Sequence, residues 1–162
     1  MPGALIVNAS PLIFLSRVKG LTWLCDLSVG QVQISAAVMA EVAAGHDGHA
    51  IISAVEGEDR MLSVEDIATP TVIAAWDLGA GETQVLAHSL SRSGAIAVLD
   101  DGAARQCGRS LGIPVVGTLG VVLAAKRMGR LSAARPVIET LLAEGLYLSA
   151  SLVTEALAEV GE

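Results

Sequence analysis

Short aliphatic runs alternate with longer segments of helical pattern along the whole chain. The apolar runs predict five short strands, at residues 4–7, 32–34, 61–64, 95–99 and 115–116. Helical spacing and capping residues predict ten helices, at residues 11–18, 21–27, 36–44, 49–55, 70–78, 82–91, 103–111, 119–128, 136–144 and 151–160. The two glycines in residues 79–81 predict a flexible break before the sixth helix.

The order of these elements predicts the fold class. Strands that alternate with helices are typical of an α/β domain with a mainly parallel sheet. The chain is 52% hydrophobic but only 2% aromatic, so its core is expected to be aliphatic, which suits a sheet covered by helices. The length of 162 residues predicts a single domain over residues 1–162. We expect the strand that ends at Leu99 to lie inside the sheet.

Polar residues follow or flank several of the predicted strands. Asn8 follows the first strand, and Asp100 and Asp101 follow the fourth. Glu41 lies within the third helix and Glu82 opens the sixth. In an open α/β sheet, the carboxyl ends of the strands meet at one edge, where ligands bind. Oxygen ligands without thiolate or imidazole partners suit Mg²⁺ or Mn²⁺, so these residues are candidate metal ligands.

Each of these positions also has an ordinary structural interpretation. Asn8 is a favoured turn residue, and an Asp after a strand is a common helix N-cap. Glu41 suits the exposed face of an amphipathic helix, and Glu82 is favoured near a helix start by the helix dipole. Thr118, after the fifth strand, is a good N-cap. The case for a site depends on whether these residues converge.

Charge argues against a protein that grips nucleic acid by bulk attraction, because the net charge is −7. Seven of the ten basic residues nevertheless fall between Arg92 and Arg135, where the only acids are Asp100 and Asp101. A basic surface beside an acidic site is one interpretation of this segment, and a solvated helix face is the other. The candidate phosphate-binding residues are Arg92, Arg105, Arg109, Lys126 and Arg127.

Cysteine usage and hydropathy bear on the compartment. Cys25 and Cys107 are too few for a disulfide framework and lack metal-ligand spacing, which favours a reducing cytoplasm. The sequence shows no signal-like segment, and its longest apolar run contains proline and glycines and is short for a membrane span. We therefore predict a cytoplasmic protein without a membrane segment.

Five motifs stand in order along the chain: IVNASPLIFL at residues 6–15, VMAEV at 38–42, LGAGETQVLAHS at 78–89, VLDDGAAR at 98–105 and LGIPVVGTLGVVLAAKRMG at 111–129. Together they resemble the PIN-domain family, with the nearest likeness to PIN-like proteins related to VapC toxins. The resemblance implies a three-layer α/β/α Rossmann-like domain with an acidic pocket for Mg²⁺ or Mn²⁺. It also implies endoribonuclease activity on single-stranded or structured RNA, as in the toxin of a type II toxin–antitoxin pair. The implied partners are a small antitoxin protein or a second copy of the chain.

The resemblance also implies roles for individual residues. By position, the family's acids fall on Asn8, Glu41, Glu82 and the Asp100-Asp101 pair. Ser10 and Thr118 match hydroxyl positions that support the pocket, and the basic residues named above would hold the RNA backbone.

The sequence departs from the family at one of these positions. Most family members have Asp where this chain has Asn8, and an amide oxygen can ligate a metal without bringing charge. A catalytically weak interaction module is therefore the alternative to a nuclease. A phosphate-accepting receiver domain is a third interpretation, but its paired acids should follow the first strand.

Overall fold

The computed structural model describes residues 3–162, which form one five-stranded sheet flanked by helices. All four strand pairs are parallel, and the strand order is β3-β2-β1-β4-β5. The predicted α/β class is thereby confirmed, as is the interior position of the strand before Leu99. The strands are β1 (Leu5–Val7), β2 (Val32–Ser35), β3 (Met61–Val64), β4 (Ile96–Val98) and β5 (Val115–Val116).

Ten helices connect and follow these strands. Most lie within one or two residues of the predicted bounds, because Ser35, Asp101 and Ser149 cap three of them through side-chain oxygens. The helices are α1 (Ala9–Arg17), α2 (Leu21–Leu27), α3 (Ala36–Ala44), α4 (Gly48–Glu56), α5 (Thr71–Ala74), α6 (Ala80–Ser91), α7 (Gly102–Ser110), α8 (Thr118–Arg127), α9 (Arg135–Ala143) and α10 (Ala150–Glu159).

The strand order reverses at β1, and this reversal positions the cleft. The chain builds β2 and β3 on one side of β1 and then crosses to build β4 and β5 on the other. Right-handed crossovers in opposite directions put the connecting helices on opposite faces of the sheet. The crevice outside the carboxyl ends of β1 and β4 is the topological switch point, where open α/β sheets bind ligands.

The core is aliphatic, as composition predicted. All residues of β1, β2 and β4 are buried, consistent with a parallel sheet covered on both faces. The helix α6 packs on β1, β2 and β4, and α8 packs on α1 and α2. Within residues 3–162, no helix is both long and apolar enough to span a bilayer.

Two sequence predictions between β3 and β4 are wrong. The predicted helix over residues 70–78 is only the single turn α5, which gives way to Asp77 in the left-handed region, at φ 51°. The predicted flexible break at residues 79–81 does not exist, because α6 already begins at Ala80 and Gly81 is buried in its first turn. The reason for a glycine there becomes clear at the cleft.

Candidate functional site

A cleft of about 720 Å³ opens at the carboxyl ends of β1 and β4. Asn8 continues directly from β1, Asp100 and Asp101 follow β4, and Glu82 stands in the first turn of α6. The structure brings these four predicted residues together on one wall of the cleft, with Ser10 beside them. Neighbouring backbones are held in register here, since Asn8 N donates to Val98 O at 3.1 Å.

Asp100 is fixed by three hydrogen bonds. The backbone N–H of Thr118 donates to Oδ1 at 2.7 Å, and the Thr118 hydroxyl donates to Oδ2 at 2.7 Å. The Ser10 hydroxyl donates to the same Oδ2 at 3.0 Å. Ser10 and Thr118, predicted as supporting residues, thus hold this carboxylate between the start of α1 and the start of α8.

Asp101 and Glu82 each use one oxygen to cap a helix. Asp101 Oδ2 accepts from Ala104 N at 2.9 Å at the start of α7. Glu82 Oε2 accepts from Gly79 N at 3.2 Å at the start of α6. Burial first, and then the negative charges of Asp101 and Glu41, raise the pKa of Glu82, while the Gly79 N–H opposes the shift. The two neighbouring carboxylates thus add to a rise that burial dominates.

Asn8 and Glu41 meet across a glycine. Asn8 is 5% exposed, and its buried Oδ1 accepts no hydrogen bond within the described part of the chain. Glu41 is exposed and stands just outside the residues that line the cleft. A Cβ on Gly81 would lie 2.9 Å from Asn8 Oδ1 and 2.9 Å from Glu41 Oε2, so the two oxygens lie within twice that distance of each other.

Arg105 is the predicted basic residue that reaches the cleft. Its Nη1 donates to Leu99 O at 3.0 Å, and it is half-buried between α7 and the start of α8. Burial, followed by the charge of Arg109, lowers the pKa of Arg105, and the charge of Asp100 opposes this. A Cβ on Gly117 would lie 2.7 Å from Arg105 Nη1 and 3.1 Å from Asp100 Oδ1, so a side chain at residue 117 would have to displace the Arg105 guanidinium.

The other predicted basic residues do not line the cleft. When the side-chain amide of Gln33 is oriented with its oxygen toward Arg92, both Nη atoms of Arg92 donate to that oxygen, at 2.6 and 3.0 Å. Lys126 is 3.8 Å from Glu162, and Arg127 is 2.8 Å from Glu159. Of Arg92, Arg105, Arg109, Lys126 and Arg127, Arg105 is the one that lines the cleft, and Arg127 is paired with Glu159, which also lines it.

Another part of the cleft wall consists of residues that the sequence did not single out. It is formed by residues 146–148 and by one face of α10, which includes Glu155 and Glu159. Tyr147 stands on this wall with 92% of its surface exposed. The rarity of aromatic residues in the chain was the available signal for Tyr147, whereas the approach of α10 is a tertiary feature that no local pattern indicates.

The oxygen atoms at the cleft suit a divalent cation. The buried, unpartnered Oδ1 of Asn8 and the neighbouring carboxylates offer oxygen alone, the preferred ligand of Mg²⁺ and Mn²⁺. Within residues 3–162, no three carboxylate, imidazole or thiol groups cluster closely enough to form a metal site by themselves. The residues present fit an ion held by one or two carboxylates, an amide oxygen and water, because Mg²⁺ usually keeps several waters.

Comparisons with known proteins agree with this architecture. The family model described as DUF3368, a PIN domain, matches residues 4–162. A solved structure described as the PIN domain endonuclease Utp24 is similar, with a TM-score of 0.52 and 17% sequence identity. The similarity covers 72% of this chain and 85% of that one. No protein of curated function matches the sequence.

Proposed function

We propose that this chain, which belongs to the PIN-domain family, is a divalent-metal-dependent endoribonuclease that hydrolyses RNA phosphodiesters. The observation that carries the proposal is the gathering of Asn8, Glu82, Asp100 and Asp101 on one wall at the switch point of the sheet. The similar solved structure is that of a PIN domain endonuclease, which supports nuclease chemistry for this fold.

The roles follow from the contacts of each side chain. The candidate ligands are Asn8 Oδ1, Glu41, Glu82, Asp101 and Asp100, of which the amide oxygen and one or two carboxylates would bind Mg²⁺ or Mn²⁺ directly. Asp100 is already oriented by its three donors. A divalent ion in such a site lowers the pKa of water and stabilises charge on a phosphate. Arg105 lies in the same cleft and would contact the phosphate backbone, since a guanidinium matches the geometry of phosphate oxygens.

The biological setting that we propose is the cytoplasm, with the protein as the toxin of a type II toxin–antitoxin pair. The likeness of its five motifs to the PIN-like proteins related to VapC toxins supports this role. A small antitoxin protein would then be the partner. A short neighbouring reading frame for a DNA-binding protein would favour the pairing, and its absence would count against it.

A nuclease assay with matched variants tests the proposal. A panel of RNAs is incubated with the protein in Mn²⁺, Mg²⁺ or EDTA. Cleavage should require the metal and should be lost in Asp100→Asn and Glu41→Gln. Glu41 is exposed, so Glu41→Gln should leave the fold intact. Glu139→Gln, on the exposed face of α9, removes the same charge elsewhere and should cleave like the wild type.

The alternative is a PIN-like module that binds a partner protein and has little catalysis. Asn8 favours it, because an amide in place of a carboxylate lowers the charge available to a cation. Calorimetric titration with Mn²⁺ separates the two functions. Saturable binding that Glu41→Gln weakens supports the nuclease, whereas no binding, together with no cleavage in any metal, supports the module.

A further inference from the structure

The aromatic residues of this chain are unevenly distributed. It contains two Trp, one Tyr and one Phe, and both the single Tyr and the single Phe line the cleft beside the acids. Phe14 is half-buried in α1, and Trp23 is buried in the core. Tyr147, with 92% of its surface exposed, presents the most exposed aromatic ring of the four.

The backbone around Tyr147 is anchored on both sides. Leu146 is buried, and its N–H donates to Leu141 O at 2.9 Å. Gly145, at φ 102°, makes the turn that leads into this segment from α9. After it, the Ser149 hydroxyl caps α10 by accepting from Leu152 N at 3.2 Å. Tyr147 is therefore held outward by a fixed segment, which limits the entropy cost of stacking a ligand on its ring.

The chemistry of this wall selects one part of a nucleotide. Leu148 and Leu152 give it apolar surface, and Glu155 gives it negative charge, whereas the charge of Glu159 is paired with Arg127 at 2.8 Å. A phosphate placed against this wall would be repelled, whereas the uncharged face of a base would not. The part of the cleft with Arg105 and the proposed cation site is the one that suits phosphate.

We infer that the wall formed by residues 146–148 and α10 is a base-binding surface, on which Tyr147 stacks an unpaired base of single-stranded RNA next to the scissile phosphate. The inference rests on the proposed nuclease function and adds to it a residue that would bind the RNA strand. Aromatic side chains bind single strands in this way because every base has a π-face, and pairing in a duplex withholds that face. The strand therefore lies with its bases toward α10 and its phosphates toward Arg105.

The test compares binding of a fluorescent single-stranded RNA octamer with binding of the same sequence as a blunt duplex. Fluorescence anisotropy is measured in a Ca²⁺ buffer. A divalent cation is then present, and binding is measured independently of cleavage. Tyr147→Ala should weaken single-strand binding about tenfold, an effect typical of losing one stacked base. Tyr147→Phe keeps the ring and should bind within about twofold of the wild type. Val72→Ala, at an exposed apolar residue of α5 outside the cleft, is the control for loss of surface area.

Kinetics give a second readout, because Tyr147→Ala should raise KM while leaving kcat nearly unchanged. The inference is overturned if Tyr147→Ala binds and cleaves like the wild type, or if Tyr147→Phe is as weak as Tyr147→Ala. Duplex bound as tightly as single strand also overturns it. In all three cases a metal-dependent cleavage by the wild type leaves the proposed function standing. A wild type that neither binds nor cleaves any RNA removes both.

Discussion

Asp100 and Asn8 lie on the same wall of the cleft, but the protein treats them in opposite ways. Asp100 accepts three hydrogen bonds, from Ser10 and Thr118, and both its oxygens are occupied. Asn8 is buried, yet its Oδ1 accepts none within the described residues. A buried acceptor without a donor costs about 1–3 kcal/mol, and the fold tolerates that cost at this position.

The difference separates two tasks. The contacts of Asp100 keep one carboxylate in a fixed place whether or not a ligand is present. Asn8 Oδ1 and the nearby Glu41 Oε2 are brought together across Gly81, and Asn8 Oδ1 accepts no hydrogen bond within residues 3–162. We interpret the first group as the frame of the site and the second as the part that a cation completes. Substitutions in each group can break or sharpen that division.

The largest effect is expected from Asp100→Ala. This variant leaves the Thr118 N–H and two hydroxyls without an acceptor, and Thr118 is fully buried. We expect the free energy of unfolding to fall by about 3 kcal/mol, measured by denaturant titration. Asp100→Asn is the matched variant, because its amide can accept from Thr118 N while the rotatable hydroxyls accept from its NH₂. It should fold nearly as stably as, or more stably than, the wild type and lose metal-dependent cleavage. Equal losses in the two variants would contradict the role of Asp100 as frame.

The next effect concerns Gly81, where a methyl group would meet both Asn8 Oδ1 and Glu41 Oε2. Glu41 is flexible and can move, but Asn8 is buried, so Gly81→Ala should cost about 1–2 kcal/mol by overpacking and should weaken Mn²⁺ binding. Gly102→Ala is the matched control. Gly102 also starts a helix at the cleft, but a Cβ there meets nothing within 4 Å. Alanine at 102 should be neutral or slightly stabilising, through helix propensity and a less flexible unfolded chain. Thermal melts compare the stabilities of Gly81→Ala and Gly102→Ala, and calorimetry compares their affinities for Mn²⁺. Equal stabilities and affinities in the two variants would count against the close approach at Gly81.

Most of the fold could be predicted from the sequence because its signals are local. Buried aliphatic runs of two to four residues mark the strands, and Ser35, Asp101 and Ser149 mark helix starts with their own side chains. The segment between β3 and α6 could not be predicted in the same way. Gln84 binds the backbone N–H and C=O of Ile67 at 2.9 and 2.8 Å, so contacts distant in sequence hold this segment in place.

The site was predictable to the extent that it follows strands. Asn8 and Asp100 extend directly from β1 and β4, so parallel pairing is enough to bring them together. The prediction for the basic residues relied on their closeness in sequence, and it did not take into account that a helix carries its two ends to different places. The twelve residues of α6 are about 18 Å long, so Arg92 ends far from Glu82, near Gln33. The wall that carries Tyr147 depends on how α10 docks, and no local pattern encodes that.

A third prediction tests whether residue 8 faces the cation. Asn8→Asp places a carboxylate where the unpartnered oxygen now lies, so Mn²⁺ should bind more tightly and cleavage at limiting metal should rise. Without metal the added charge beside Glu41 should destabilise the protein by roughly 1 kcal/mol. Calorimetric titration of both proteins with Mn²⁺, paired with melts in EDTA, measures the two effects. Equal affinities would show that residue 8 is an ordinary turn residue.

The smallest effect concerns the pH dependence that Glu82 gives to stability. Burial, together with the charges of Asp101 and Glu41, raises the pKa of Glu82 in the folded protein. The folded state therefore binds this proton more tightly than the unfolded chain, and stability falls as pH rises from about 4.3 through the higher folded-state pKa. Glu82→Gln removes the titration, and its amide oxygen can still accept from Gly79 N.

In EDTA, Glu82→Gln should therefore gain stability relative to the wild type as pH rises from 4 to 7, by less than about 1 kcal/mol, because the group is partly solvated. Glu139→Gln on α9 corrects for the change in net charge. With saturating Mn²⁺ at pH 7, the wild type should become more stable than Glu82→Gln, because the cation binds an ionised carboxylate more strongly than an amide. Urea titrations of the wild type and both variants measure the free energy of unfolding at pH 4 and at pH 7, each with and without the metal. If the stability difference between Glu82→Gln and the wild type changes with neither pH nor Mn²⁺, Glu82 only caps α6. It then belongs with Asp100 to the frame of the site.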